Sequence, residues 1–265
     1  MKPRAIARLR SALLAMLLAA AARPAAAQGW PYMFTVTTEP PASDLRWTAR
    51  YEAGYGQRSA APFGIDGVDS ILSIQGPLGR GFTLRGQAGL GIEGERSART
   101  TQEVELLKDV RTATRGLGVA MGLGLRREWQ GTTVILGRVS AGHSFARSSL
   151  FGNLRFERAL EPGRDRLDVL TTLGWRRRFG PVHLGVEAVG EDLEGFWDKE
   201  EAEGGAKLFA GPSLHLAPRG RAWSASLCGG PILYATRTGR VSAAVRPLEA
   251  TGNGFTIRAA VAYSF

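Results

Sequence analysis

The chain has 265 residues, a formal net charge of +10 and one cysteine, Cys228, and hydrophobic residues make up 44% of it. A single cysteine excludes an internal disulfide. The positive charge does not indicate nucleic-acid binding, because proteins of that kind concentrate basic residues on one face, whereas the arginines here are scattered along the chain.

The first 27 residues have the three zones of a secretory signal peptide. A basic head from Lys2 to Arg10 is followed by an apolar run over 12–22 and by small alanines at 25–27, which is the order that secretion requires. The run is shorter than the roughly 20 residues of a membrane-spanning helix, so a membrane anchor is the less favoured alternative. Removing residues 1–27 removes five basic and no acidic residues, and the formal charge falls to +5.

Residues 28–44 contain Glu39-Pro40-Pro41 and are predicted to be a periplasmic lead-in. From residue 45 onward, many segments alternate with a period of two, which is typical of strands with two different faces. Most of these segments have about 10 to 14 residues, whereas ordinary strands have about 5 or 6 and membrane-crossing strands about 9 to 11. We predict ten strands, at 45–56, 67–75, 82–93, 115–128, 132–145, 166–178, 182–191, 204–216, 222–235 and 254–265.

Three segments fit this scheme less well. Residues 101–111 are compatible with a short helix in a loop, and 150–160 alternate but lie between two predicted strands. Pro212 lies inside a predicted strand, where it removes one donor of the hydrogen-bond ladder and indicates a bulge or a misplaced boundary. Eight or twelve strands are therefore the alternatives to ten.

The predicted connections alternate between short and long. The short ones are 76–81, 130–131, 180–181 and 217–221, and the long ones are 57–66, 94–114, 146–165, 192–203 and 236–253. Short turns at one end and longer loops at the other are typical of bacterial outer-membrane barrels. The sequence therefore predicts an all-β, closed, antiparallel up-and-down barrel over 45–265, with both ends on the periplasmic side.

Aromatic residues lie at the predicted short-turn ends of the strands, on the more apolar face. Aromatic rings settle where lipid meets water, so this placement predicts a girdle at the periplasmic rim. The girdle residues are Trp47, Phe82, Trp129, Trp175, Trp223, Tyr263 and Phe265.

The last eight residues, RAAVAYSF, alternate and place Tyr263 two residues before the final Phe265. This ending resembles the C-terminal signature of bacterial outer-membrane β-barrel proteins. The resemblance implies an outer-membrane location in a Gram-negative cell envelope, contact with lipid and lipopolysaccharide, and recognition of the last strand by the barrel-assembly machinery. It indicates a class and no particular family within it.

Motifs for chemistry are weak. The glycines that start at Gly116 miss the dinucleotide-binding fingerprint, and the three histidines have no metal-site spacing. Outer-membrane barrel proteases need an Asp-Asp pair and an Asp-His pair. The sequence has no Asp-x-His, and Asp66 and Asp69 are the nearest approach to the acidic pair. Barrel lipid hydrolases use His-x-Ser, but His143 and Ser144 are adjacent and so point to opposite faces. We therefore predict no enzyme, and no catalytic, cofactor-binding or metal-binding residues.

The acidic stretch 191–205 is predicted to be a solvated external loop, with binding of a divalent cation as the less favoured alternative. A set of charged residues of both signs is predicted to face the barrel interior, where they must pair. The set is Arg50, Glu52, Asp69, Arg85, Arg126, Asp168, Arg176, Glu187, Lys207 and Arg258.

Because ten strands lie near the size at which side chains fill a barrel, we predict a lumen largely filled by an ionic network. The function expected is structural, adhesive or that of a narrow pore. The alternatives are an outer-membrane barrel hydrolase acting on lipid or peptide, and a soluble secreted barrel with an apolar interior that binds an apolar ligand.

Overall fold

The computed structural model describes residues 46–93, 97–111, 116–127, 133–160, 167–198, 206–235, 240–242, 247–249 and 252–265. The predicted signal peptide and lead-in lie outside these ranges. The strands are β1 (Thr48–Gln57), β2 (Gly67–Gly79), β3 (Phe82–Glu93), β4 (Ser97–Arg111), β5 (Gly116–Arg127), β6 (Thr133–Ser144), β7 (Ser148–Ala159), β8 (Asp168–Phe179), β9 (Val182–Glu191), β10 (Ala206–Leu216), β11 (Trp223–Ala235), β12 (Arg240–Ser242), β13 (Pro247–Glu249) and β14 (Gly254–Ser264).

Twelve antiparallel strands, β1 to β11 and β14, form a closed barrel in which each strand pairs with its neighbours in sequence. The barrel closes where β1 pairs with β14 from Thr48–Ser264 to Gln57–Phe255. Closure satisfies the edge donors and acceptors that hydrocarbon could not. The strands β12 and β13 form a separate two-stranded sheet, and a 3₁₀ turn, η1, spans Leu193–Phe196. None of the described helical segments is long and apolar enough to span a bilayer.

The closed up-and-down barrel is confirmed, and the number of strands is the predicted alternative of twelve rather than the favoured ten. Residues 101–111 belong to β4 rather than to a loop helix, and 150–160 fall largely in β7. In β4, Val104 and Leu106 face outward while Glu103 and Glu105 are buried inside, so neighbouring strands on both sides impose the period of two on a segment with helix-forming residues.

The two extra strands change which connections share a rim. β5 ends at the rim opposite to the two-residue turn at 80–81. The connection after Arg127 therefore lies on the loop side, whereas the sequence predicted it on the short-turn side. Trp129 itself lies outside the described residues. The connection between β6 and β7, at 145–147, is a short periplasmic turn and not a long loop. Since twelve is also even, the start of β1 and the end of β14 both lie on the periplasmic side, as predicted.

The two faces are assigned as predicted. On β14, Phe255, Ile257 and Val261 are exposed on the outside, whereas Thr256 and Arg258 are buried inside. The same alternation holds on the other strands, and it gives the barrel an apolar outer surface. A soluble barrel with reversed faces is therefore wrong for this chain.

Pro212 points outward in the middle of β10. The ladder from β10 to β9 is continuous there, but the ladder to β11 is interrupted between Phe209 and Ser213 without a change of register. The predicted bulge is therefore replaced by a local gap in pairing, on the side where proline has no N–H to donate.

Described aromatic residues of the predicted girdle lie at the periplasmic rim. Trp47 covers Gly76 on the outer face, and Trp175 and Trp223 are exposed near the ends of their strands. Phe82, Tyr263 and Phe265 complete this rim.

The connection between β1 and β2, residues 58–66, folds into the loop-side end of the barrel. Ala60 and Phe63 are fully buried, and Phe63 packs in an apolar cluster that the barrel wall supplies. The other members of this cluster are Leu170, Val189, Phe209, Cys228 and Ile232. This segment, which we call the inner loop, fills the space above the middle of the barrel.

Candidate functional site: the barrel lumen

Arg258 of β14 anchors the inner loop to the barrel wall. Its guanidinium donates to Glu52 at 2.6 Å, to both carboxylate oxygens of Asp69 at 2.5 and 3.0 Å, and to the carbonyl of Phe63 at 3.1 Å. Arg50 donates to the other oxygen of Glu52 at 2.6 Å. Arg258, Glu52 and Asp69 are buried, and close pairing of opposite charges is what makes that burial tolerable.

Further hydrogen bonds hold the inner loop from other sides. The hydroxyl of Tyr234 donates to the carbonyl of Arg58 at 2.7 Å, and the ammonium of Lys207 donates to the carbonyl of Ala61 at 3.1 Å. Lys207 also forms an ion pair with Glu191. The inner loop is therefore fastened to β10, β11 and β14.

A second ionic network lies on the wall formed by β3 to β7. Arg138 donates three hydrogen bonds of 2.8 to 3.0 Å to Glu105, which also accepts from Arg85 at 3.4 Å. Arg155 pairs with Glu103 and, at 2.8 Å, with Glu157. The two groups meet where Arg138 of β6 and Arg155 of β7 are direct cross-strand partners.

Arg126 completes this wall at the loop side, where it donates to Glu157 at 2.8 Å. With it, every arginine of the network has a carboxylate partner.

The arginines and the carboxylates of these networks differ in their access to water. The side chain of Arg126 is 18% exposed against 3% for Glu157, and that of Arg50 is 13% exposed against 3% for Glu52. The side chain of Arg85 is likewise more exposed than that of Glu105. In these three pairs the guanidinium group is the more exposed partner, whereas Arg138, Arg155 and Arg258 are no more exposed than the carboxylates they pair with. At the three exposed arginines, therefore, the charge that meets water in the lumen is positive.

The periplasmic half of the lumen is lined by smaller side chains and by a cluster around β9. His183 and His215 are direct cross-strand partners, with ring centroids 5.3 Å apart. Arg176 and Arg178 flank them on β8, and Glu187 has a hydrogen bond with Ser213. The periplasmic end of the lumen therefore carries mainly positive charge, as do the exposed arginines elsewhere in the lumen.

The ten charged residues predicted to face the lumen all do so. The predicted set lacks five others on β4, β6 and β7, of which β4 and β7 were not predicted as strands: Glu103, Glu105, Arg138, Arg155 and Glu157. It also lacks Glu191 of β9, which pairs with Lys207. The histidine pair was not predicted either, because only the strand register brings these two distant residues together. His143 is separate from them, on the outer face beside Phe145.

The inner loop and the paired charges lie inside the loop-side half of the lumen. Twelve strands enclose more space than ten, and the nine-residue connection 58–66 occupies part of that space beside the ionic network. This contribution of the inner loop was not predicted.

The acidic residues considered for hydrolysis, and a serine and histidine on β10, form no base–nucleophile contact in the described part of the chain. Asp69 is paired with Arg258, and Asp66 accepts the backbone N–H of Arg58 at 2.8 Å. Ser213 and His215 share the inner face of β10, a spacing the sequence analysis did not consider. However, neither ring nitrogen of the buried His215 has a hydrogen-bond partner, so no base–nucleophile contact exists.

The acidic stretch 191–205 is divided between the barrel and the loop side. Glu191 points into the lumen, the segment around η1 follows, and 199–205 lie outside the described residues. Partial burial raises the pKa of Asp192, and the nearby carboxylate of Asp168 raises it further. Among the described residues, no group of three or more histidine, cysteine or acidic side chains could hold a metal ion.

No protein-family model matches the chain, and no curated protein matches its sequence. Solved structures do match its fold. The KdgM porin in complex with disordered oligogalacturonate aligns with a TM-score of 0.54 at 13% identity, over 82% of this chain and 99% of that one. The KdgM porin alone gives 0.53 at the same identity and coverage. Omp33 of Acinetobacter baumannii aligns at 0.45 and 6% identity, over 83% of this chain and 98% of that one.

The chain has the fold of bacterial outer-membrane β-barrel proteins. The apolar outer surface and the aromatic rim agree with that fold, and the outer-membrane location predicted from the sequence is confirmed at this level. A particular family within the class is not identified.

Proposed function

We propose that the chain is a narrow outer-membrane pore that prefers small anionic solutes. The observation that carries this proposal is the exposure of Arg50, Arg85 and Arg126, each of which reaches water in the lumen more than its carboxylate partner does. Rings of arginine or lysine are the usual means by which pores favour anions.

The inner loop sets the expected size of the cargo. It occupies the loop-side half of the lumen, and the passage runs past it from Arg126 on the wall of β3 to β7 to Arg50 on β1, nearer the periplasmic end. A solute that passes must be small and must exchange its hydration for contacts with guanidinium groups, which bind carboxylates and phosphates with two hydrogen bonds at once. The match to a porin studied with oligogalacturonate supports acidic sugars as one cargo class to try first.

The test is the current through the purified chain in a planar bilayer under a KCl gradient. We expect a small conductance with a reversal potential of the sign that chloride permeation produces. Arg50→Gln and Arg126→Gln should each move that potential toward zero. Both variants should fold, because Glu52 keeps Arg258 and Glu157 keeps Arg155.

Arg158→Gln is the matched control, because Arg158 is exposed on the outer face of β7 near the same rim as Arg126. It should leave the reversal potential unchanged. Cation selectivity of the unaltered chain, or a stable channel in the nanosiemens range, would contradict the proposal.

We propose further that the chain has no hydrolase activity. The alternative is favoured only by Ser213 and His215 on one strand face, with Glu187 bonded to Ser213. Loss of lipid or peptide hydrolysis on Ser213→Ala, in a preparation that had it, would overturn this. Contact with lipopolysaccharide at the loop side and recognition of β14 by the barrel-assembly machinery belong to the same proposal.

A further inference from the structure

The periplasmic rim of the barrel carries a belt of basic side chains that the pore function does not use. Among the described residues at this rim, nine side chains are basic and only Asp109 is acidic. The basic side chains are Arg46, Arg80, Lys108, Arg111, Arg147, Arg177, Arg178, Arg219 and Arg221. We call this set the basic belt.

The basic belt overlaps the aromatic rim on the outer, lipid-facing surface. Lys108 lies over the ring of Phe82, with its ammonium 4.3 Å from the ring centroid, and Arg177 lies over Phe179 at 5.5 Å. These contacts hold the cations at the level where the aromatic rings mark the interface between lipid and water. Arg178 instead continues the inner face of β8, and Arg80, Arg147, Arg219 and Arg221 lie in the connections between strands at this rim.

The opposite rim has no such excess among its described residues. Exposed acidic side chains such as Glu194 and Asp198 lie there, together with the outward-facing Arg127 and Arg158. A general need for charge at membrane interfaces would act on both rims alike, so the asymmetry points to something found only at the periplasmic side.

We propose that the basic belt binds the head groups of anionic phospholipids in the periplasmic leaflet. The belt meets the membrane from the side, where phosphate groups of the leaflet lie next to the ends of the strands. A phospholipid with a net negative charge satisfies the cations, and its acyl chains pack on the apolar surface just above. Each lysine or arginine near an anionic leaflet contributes about 1 kcal/mol to such attraction.

In the experiment, the full chain is reconstituted in phosphatidylcholine vesicles. One series contains phosphatidylglycerol with brominated acyl chains, and the other contains phosphatidylcholine with brominated acyl chains in its place. Bromine quenches tryptophan fluorescence on contact, and Trp47, Trp175 and Trp223 lie at this rim. Brominated phosphatidylglycerol should quench at a lower mole fraction than brominated phosphatidylcholine, and added salt should reduce that difference.

The variant that tests the belt is Lys108→Gln with Arg177→Gln. Its preference for phosphatidylglycerol should fall by about 5-fold for each charge removed. Arg219→Gln with Arg221→Gln, two exposed residues in the connection 217–222, serves as a second variant should the first fail to fold. The control is Arg127→Gln with Arg158→Gln, which removes two outward-facing charges at the opposite rim and should leave the preference unchanged.

Two results would overturn the proposal. One is equal quenching by the two brominated lipids, which is also what a belt serving a soluble periplasmic polyanion would give. The other is an equal loss of preference in the control variant. Neither result bears on the pore, because the belt residues on the outer surface lie outside the lumen.

Discussion

Arg138 lies directly opposite Arg155 across the β6–β7 pair, so two guanidinium groups stand side by side in the wall of the lumen. They are tolerated because each has a carboxylate of its own from β4, Glu105 for Arg138 and Glu103 for Arg155. A strand with two inward acids thus compensates a pair of strands with two inward cations. The ion pairs that link β4 to β6 and β7 therefore fix the register in which these strands lie.

Removal of one of these acids should destabilise the barrel severely. The Glu105 side chain is almost fully buried and serves both Arg138 and Arg85, so Glu105→Gln leaves a buried cation without its countercharge. We expect a loss of about 3 to 5 kcal/mol in the free energy of unfolding, measured by urea titration in detergent micelles. Glu194→Gln, at an exposed position outside the barrel wall, should change the free energy of unfolding by less than about 0.5 kcal/mol; a similar loss in both variants would be inconsistent with the ionic wall.

The inner loop should be the main resistance to ion flow. Phe63 is its largest fully buried side chain and packs against Phe209 of β10, with ring centroids 6.2 Å apart. Phe63→Ala removes this anchor and should raise the single-channel conductance and the frequency of large openings in a planar bilayer. Phe255→Ala is a control at the same rim, because Phe255 faces the lipid, and it should leave the conductance unaltered. An unchanged conductance in Phe63→Ala would show that the loop does not obstruct the passage.

The sequence was sufficient for the faces, the closure and the location of the barrel. Alternation on β14 and on β3 is unbroken, since lipid selects apolar residues on one side and the lumen tolerates charges on the other. This constraint acts on single residues, and a single sequence displays it directly.

The strand count was harder because turns were recognised by glycine and proline. The connection at 145–147 reads Phe-Ala-Arg and has neither residue, so β7 was not separated from a loop. In β4 the outer positions near the loop side are Thr100 and Gln102, and their polarity hides the alternation. Because β4 and β7 were not recognised as strands, their charged residues in the ionic network of β3 to β7 could not be predicted. These are Glu103, Glu105, Arg155 and Glu157.

The histidine pair shows what a register argument could have added. His183 is the second residue of β9 and His215 the second-last residue of β10. Because the two strands are joined hairpin neighbours in an antiparallel barrel, equal distance from the same rim makes two inward residues direct partners. The signal was thus present in the predicted strand bounds, whereas the fold of the inner loop left no comparable pattern in the sequence.

Gly54 should be intolerant of even a methyl group. A Cβ at this position would lie 2.5 Å from Nη1 of Arg258 and 2.9 Å from Oδ1 of Asp69, so Gly54→Ala forces the central ion pair apart. We expect a lower free energy of unfolding, by about 1 to 3 kcal/mol as for other overpacked sites, and a larger conductance because the inner loop loses its anchor. Gly86→Ala is the matched control, since its Cβ would meet only Ile74 at 3.9 Å, and it should be neutral or slightly stabilising.

Asp192 should make the loop-side end of β9 sensitive to pH. Burial and the neighbouring Asp168 raise its pKa above the ordinary value of 3.8, which means that the folded state holds this proton more tightly than the unfolded chain. Stability from this group is therefore fully present below pH 3.8 and is lost as the pH rises through the raised value. Asp192→Asn cannot ionise, and asparagine suits the left-handed conformation of this residue, whose φ is 49°.

The measurement for Asp192 is the difference between the unfolding free energies of Asp192→Asn and the unaltered chain across the acidic range. Near neutral pH the variant should be the more stable of the two, and the difference should shrink toward zero as the pH falls below the ordinary aspartate pKa. Asp198→Asn, at an exposed position of the same connection, controls for the loss of a charge in general and should show no such trend. A difference that grows on acidification would mean that the carboxylate of Asp192 stabilises the fold in its ionised form, contrary to the burial that surrounds it.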